Sequence, residues 1–345
     1  MKLLVMRLSA LGDVAMTIPV ITSLARQYPQ LEITLMSKPF IKPLFVGMPP
    51  NFHFREIDIK EYRGLLGLIR LFRELKDENY DIIADLHDVL RTKILRFLFR
   101  VTGKRVFYID KGRKEKRALT RKNNKILKQL PSSFSRYENV FLLLGYPVKT
   151  TFHSIYGEGK GETNLFAPVI GIPDSKKWIG LAPFAAHRGK RLPEEITKAL
   201  LLELSKFSNW RIFLFGGGGE ERKLLEDWAR LYDNIESVAG KFKLNEELAL
   251  MSHLSTMISM DSANMHLASL TGVPVISIWG ATHPFAGFMG WGQTTANAIQ
   301  IELACRPCSI FGNKPCLLKR GQYECLNHTP YNIISTVEKV VNTPE

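Results

Sequence analysis

The sequence predicts an α/β protein built from two Rossmann-like, doubly wound domains facing a central cleft. Three observations carry this. Short apolar runs alternate with segments of helical spacing; the alternation lapses over residues 156–177 and then restarts; and 345 residues exceed one domain of ordinary size. With 45% hydrophobic residues the chain can fill two cores, and no run nears the roughly 20 apolar residues of a membrane span.

In order, residues 2–8 (Lys2-Leu3-Leu4-Val5-Met6-Arg7-Leu8) read as a first strand, too short and too punctuated for a signal peptide, so a cytoplasmic protein is expected. Residues 14–27 have helical spacing at Ile18, Ile21 and Leu24, and 32–36 read as a strand. Residues 62–76 form an amphipathic helix with Leu65, Leu68, Ile69 and Phe72 on one stripe. A strand over 81–86, a helix over 89–101, a strand over 105–109 and a helix over 135–144 complete the first half. Gly, Pro, Ser and Thr over 156–177 mark the boundary. Beyond it come a strand at 178–182, a helix at 193–207, a strand at 211–215, helices at 220–232 and 244–253, strands at 256–260 and 273–279, and a last helix at 330–341. The expected domains are 1–160 and 175–328, followed by a C-terminal helical segment at 330–345.

Charge is unevenly placed. Residues 1–160 hold 29 Lys and Arg against 15 Asp and Glu, whereas the rest hold 18 of each. The excess peaks between Lys104 and Lys128. Such a field draws an acidic partner: nucleic acid, anionic lipid headgroups, or a phosphorylated or carboxylated substrate. Aromatic residues do not interleave with these charges in a recognition pattern, which argues against nucleic acid. The four cysteines, Cys305, Cys308, Cys316 and Cys325, lie in one loop at 305–325. Cys-x2-Cys is half a zinc site, but the eight residues between the last two are not a zinc-ribbon knuckle. Structural zinc, two disulfides and free thiols all stay open, and each is structural rather than catalytic.

Met260-Asp261-Ser262-Ala263-Asn264-Met265-His266-Leu267-Ala268 is the most informative stretch. An apolar strand there turns straight into a helix, whose first N–H groups suit a phosphate, with Asp261 or Ser262 as N-cap. Asp13 follows Gly12 at the first strand-to-helix turn, either as a cap or as a general base. Arg188, Lys190 and Arg191 follow the strand at 178–182 and can clamp a diphosphate, the lysine as a point charge and an arginine as a fork. Glu220 and Glu221 follow four glycines; they suit ribose hydroxyls or the helix dipole. His87, Arg91 and Lys93, after the strand at 81–86, are candidates for binding an acidic acceptor or, equally, a solvated helix face.

Taken together these motifs resemble glycosyltransferase family 9, the lipopolysaccharide heptosyltransferases, over almost the whole chain. The carriers are Leu8-Ser9-Ala10-Leu11-Gly12-Asp13-Val14, Gly189-Lys190-Arg191-Leu192-Pro193, Asp261-Ser262 with Met265-His266-Leu267-Ala268, Gly272-Val273-Pro274-Val275, Trp279-Gly280-Ala281-Thr282-His283-Pro284 and the cysteine loop. The resemblance implies a GT-B fold, with an ADP-sugar donor (heptose) in the C-terminal domain and an acidic, lipid-linked inner-core acceptor in the N-terminal one. It also implies inversion at the anomeric carbon with no cofactor or catalytic metal. Asp13 matches the general base, and Lys190 the lysine on the donor phosphates. Ser262, Asn264, Met265 and His266 match the segment around the diphosphate, Asp261 the acid opening it, and Glu220 or Glu221 the ribose carboxylate. Ala263 stands where glycine is usual, and Leu192 where tryptophan is frequent. The basic half would hold such an enzyme at the anionic inner face of the inner membrane as a peripheral protein. The alternatives are a family member with another donor or acceptor, and a Rossmann-type oxidoreductase, against which stands the absence of Gly-x-Gly-x-x-Gly after the first strand.

Overall fold

A computed structural model describes residues 1–316 and 323–343, so residues 317–322 of the expected cysteine loop and 344–345 of the C-terminal segment lie outside the described residues. In chain order the elements are β1 (Lys2–Met6), α1 (Leu11–Ala15), α2 (Ile18–Gln27), β2 (Glu32–Ser37), β3 (Phe52–Glu56), α3 (Gly64–Asp77), β4 (Ile82–Asp85), α4 (Leu90–Val101), β5 (Arg105–Tyr108), α5 (Arg113–Leu119) and α6 (Ser133–Leu144). They continue with α7 (Ala167–Ile170), β6 (Lys177–Ala182), α8 (Glu194–Ser205), β7 (Trp210–Leu214), α9 (Glu220–Ala229), β8 (Ile235–Ser237), α10 (Leu244–Met251), β9 (Thr256–Met260), α11 (Ala263–Leu270), β10 (Val275–Trp279), β11 (Ala298–Gln300) and α12 (Pro330–Asn342). No helix among the described residues is long and apolar enough to cross a membrane.

Two compact units result. Unit 1 comprises Met1–Lys111 and Ser132–Gly157; unit 2 comprises Gly112–Pro131 and Glu158–Glu345. Unit 1 is a parallel sheet of order β3-β2-β1-β4-β5. Its strand β4 is buried at every residue, as a strand covered on both faces must be. Leu4, Met6 and Ile83 meet Leu71, Leu75, Leu95 and Phe99 of α3 and α4 in one core. Unit 2 is a parallel sheet of order β11-β10-β9-β6-β7-β8. α12 packs against α8 and sends Ile333, Ile334 and Val337 into the same core as Leu200 and Leu204.

The structure differs from the periodicity in three places. The helix expected at 14–27 is two helices, because Thr17 turns its hydroxyl onto the Val14 carbonyl (2.7 Å) and Pro19, lacking an N–H, sits in the first turn of α2. Five short elements went unread: β3, α5, α7, β8 and β11. The three strands are sheet edges or next to one, and β8 and β11 have three residues each, too few to show a period. The third difference is the basic segment 112–131, which folds into unit 2. There Leu119 and Leu130 pack on Ala286, Phe285 and Phe288, the Leu130 N–H donates to the Phe285 carbonyl (2.9 Å), and Lys125 Nζ donates to the carbonyls of Cys305 (2.6 Å) and Pro307 (2.9 Å). The segment carries eight Lys and Arg against Glu115 alone, so the positive excess is shared by both units rather than held by the first.

Candidate functional site

In unit 1 the chain runs β1, β2, β3 to one side and then returns to place β4 on the other side of β1. Loops leaving the carboxyl ends of β1 and β4 therefore diverge, and the crevice at such a switch point is where open α/β sheets bind ligands. Asp13 follows β1 and His87 follows β4. Ser9 Oγ lies 3.4 Å from His87 Nε2. Asp13 sits in the first turn of α1, its Oδ2 accepting the Ala10 N–H (3.2 Å) and pairing with Arg7 Nη2 (2.8 Å). The Asp13 carboxylate thus anchors a helix start yet keeps 36% of its side chain exposed.

Arg7 is buried, and its Nη1 donates to the Leu86 carbonyl (2.6 Å), tying the ends of β1 and β4 together. Tyr137, fully buried, donates its hydroxyl to the Asp13 carbonyl (3.2 Å); burial pushes that phenol up to about 12. Asp85 Oδ1 accepts the N–H groups of His87 and Asp88 (2.9 Å each), and Arg96 pairs with Asp85 Oδ2 at 3.2 Å, which shapes the turn that presents His87. Burial, helped by Arg7 and Lys111, pushes the His87 imidazole down to about 4, so it is neutral at pH 7. Of the three acceptor candidates, His87 joins the Asp13 cluster. Lys93 reaches Asp88 (3.7 Å), and Arg91 is exposed on the first turn of α4. Arg7, Lys111 and Tyr137 were not singled out from the sequence. The available signal for Arg7 was a cation where the first strand runs out.

Unit 2 repeats this logic. β6 is followed on one side by β7 and β8, and on the other stands β9. Lys190 lies in the loop after β6 and Asp261 directly after β9, and they form an ion pair across this switch point (3.2 Å), both largely buried. The lysine loop is fixed by backbone bonds: Gly189 N–H to the Gly312 carbonyl (3.2 Å) and Ala281 N–H to the Gly189 carbonyl (2.8 Å). Gly312, at φ +72°, leaves the room that the Lys190 stem fills.

Ser262 takes the N-cap position of α11 but makes no side-chain cap bond, in contrast to the expectation that it or Asp261 would cap the helix. Its backbone is extended there, and its Oγ lies 3.4 Å from Ser259 Oγ instead. The helix thus begins beside Lys190 without a capping side chain, with residues 262–264 half-buried and Met265 and His266 buried behind them. Arg191 does not accompany Lys190: it pairs with Glu221 (2.5 Å) and lies over the Phe184 ring, while Arg188 is exposed. Glu221 also accepts the Gly217 N–H (3.1 Å), and Glu220 is exposed in the first turn of α9.

The cysteine loop is organised by Arg306, which is buried and donates to the carbonyls of Gly280 (2.6 Å), Ile301 (2.7 Å) and Thr282 (2.9 Å). All four cysteines are free thiols. Among the described residues no three His, Cys, Asp or Glu side chains are grouped so that they could hold a metal ion.

Three imidazoles set an acid limit on the fold. His283 and His328, like His87, are pushed down to about 4 by burial and nearby cations. Unfolded, each takes a proton near 6.5, so the stability they lend is complete above that value and is lost as pH falls toward 4. Glu247, pushed up to about 7 by burial, and Asp85, also raised, act in the opposite sense. We expect Tm to drop between pH 6.5 and 4.5, and His328→Asn to flatten that slope. A Tm that holds across this interval in the parent protein would show that the imidazoles are not held neutral.

Comparison with known proteins gives the family and the architecture. The family model described as Glycosyltransferase family 9 (heptosyltransferase) matches residues 68–319. The chain is 27% identical over 300 residues to lipopolysaccharide heptosyltransferase 1 of Campylobacter coli, covering 82% of this chain and 84% of that one. In fold it is similar to Escherichia coli ADP-heptose lps heptosyltransferase II (TM-score 0.71, 18% identity, 99% and 98% covered) and to E. coli heptosyltransferase WaaC with ADP (TM-score 0.67, 18% identity, 99% and 100% covered). Those solved structures establish the architecture, two parallel-sheet α/β units of the GT-B kind, and the family match covers most of the chain, including the Lys190 and Asp261 loops. The chain therefore belongs to glycosyltransferase family 9 and is a glycosyltransferase.

Proposed function

We propose that the protein transfers a heptose from an ADP-linked donor to an acidic, lipid-linked inner-core acceptor of lipopolysaccharide, at an anionic membrane surface and with inversion at the anomeric carbon. The observation that carries the donor half is the Lys190–Asp261 pair beside the uncapped start of α11, which offers an ammonium and free helix amides to a pyrophosphate. Ser262, Asn264, Met265 and His266 surround the phosphates in this reading, and Glu220, whose neighbour Glu221 is occupied by Arg191 and Gly217, takes the ribose. The names of the relatives, and the ADP held by the E. coli enzyme of the same fold, support it.

Chemically, Asp13 accepts the proton of the acceptor hydroxyl as its oxygen bonds to the anomeric carbon. The bond from that carbon to the phosphate oxygen breaks, and ADP leaves with the electron pair. Lys190 and the α11 amides stabilise the charge that develops there. Neutral His87, with Arg91 and Lys93, serves the acceptor side. No step requires a cofactor, so transfer is expected to proceed unchanged in EDTA. The direct test is a thermal-shift comparison of ADP, UDP and NADH: ADP is expected to raise Tm, and a shift with NADH alone would overturn the assignment of donor.

A further inference from the structure

Helix α4 is apolar on two opposite sides. Successive helical residues are about 100° apart. Thr92, Leu95 and Phe99 fall on one side, and all three are buried in unit 1. Leu90, Ile94, Phe97 and Val101 fall on the other, within about 60° of one another. Leu90, Phe97 and Val101 are 75%, 64% and 71% exposed. The neighbouring α3 adds Leu65 and Leu66, the latter 83% exposed. Between the two helices Leu65, Ile69, Lys93, Ile94, Phe97 and Leu98 line a groove of about 440 Å³. A helix whose only apolar partner is its own core has no use for leucine and phenylalanine on the far side.

The rim of this face identifies its occupant. Around the helix, Arg91 flanks the outer stripe on one side, Lys93 and Arg100 on the other, and α4 contains no acid. Lys93 keeps 43% of its side chain exposed despite its contact with Asp88, and Arg100 is exposed while donating to the Val106 carbonyl (3.3 Å). A second copy docking symmetrically would set these cations against themselves. An anionic bilayer meets both halves of the pattern, with acyl chains for the apolar stripe and phosphates for the flanks. We propose that the outer face of α3 and α4 docks the protein on an anionic lipid bilayer, with Leu66, Leu90, Phe97 and Val101 entering the acyl boundary and Arg91, Lys93 and Arg100 among the headgroups. The proposal deepens the reading of a membrane-linked acceptor, but the measurement that decides it, vesicle binding, uses neither donor nor acceptor, so either can fail alone.

The test is co-sedimentation of the full chain with vesicles of phosphatidylcholine containing phosphatidylglycerol, against phosphatidylcholine alone. The parent is expected to bind the anionic vesicles, and Leu66→Ser with Phe97→Ser to weaken that binding by about tenfold or more. Both residues are exposed, so Tm should be unchanged, as should transfer to a water-soluble, delipidated acceptor. Equal vesicle binding by parent and variant overturns the proposal. So does a parent that ignores vesicles but self-associates in sedimentation velocity through the same residues, which would make the face an interface between copies.

Discussion

Asp13→Asn is expected to lower kcat by about 10²–10⁴-fold, the span that a positioned general base supplies, with ADP affinity unaltered. Asparagine preserves the size of the side chain and can still accept the Ala10 N–H, so α1 should start as before. What disappears is the negative charge proposed to take the proton. The same change leaves Arg7 without its ionic partner, though still donating to the Leu86 carbonyl, and because Asp13 is partly exposed the stability cost should be about 1 kcal/mol or less. Loss of kcat with little loss of Tm separates a chemical role from a merely structural one. Turnover within a few-fold of the parent would remove Asp13 as the base and leave it a helix anchor.

Lys190→Met should damage both stability and donor binding. Asp261 is buried, and removing the ammonium strands its carboxylate in a low-dielectric setting, a change that typically costs about 3–5 kcal/mol. Lys190→Met with Asp261→Asn replaces both charges and is expected to recover most of the lost Tm. It should not recover transfer, because no cation then faces the departing pyrophosphate. Measured side by side, Tm and ADP affinity distinguish the two roles. A double variant that regains activity along with stability would show that the lysine only neutralises the aspartate.

Much of this was legible in the chain because it is local. Strands such as 256–260 and helices such as 244–253 announce themselves by period, and the turn at 261–266 shows its small polar residues directly. Asp13 and Lys190 were readable as charged residues just past strand ends. What stayed hidden depends on partners far along the chain. Nothing near residue 87 says that β4 lies beside β1, so the meeting of His87 with Ser9, 78 positions away, had no local sign. Arg7 looked like one more strand residue until its contact with Leu86 was seen. The spacing of α4 reads only as a helix over 89–101; its second apolar stripe becomes visible once the core side is known. Ser262 shows the reverse error: a residue type favoured at helix starts left its cap bond unmade, at the place proposed for a ligand.

The excursion of residues 112–131 into unit 2 has a practical outcome for dissecting the enzyme. The polypeptide passes from one unit to the other three times, at 111/112, 131/132 and 157/158. A fragment ending near residue 160 would carry Leu119 and Leu130 without the Ala286 and Phe288 surfaces that shelter them. Chimeras that exchange unit 1 between relatives accordingly need three junctions rather than one, with the basic excursion inherited along with unit 2.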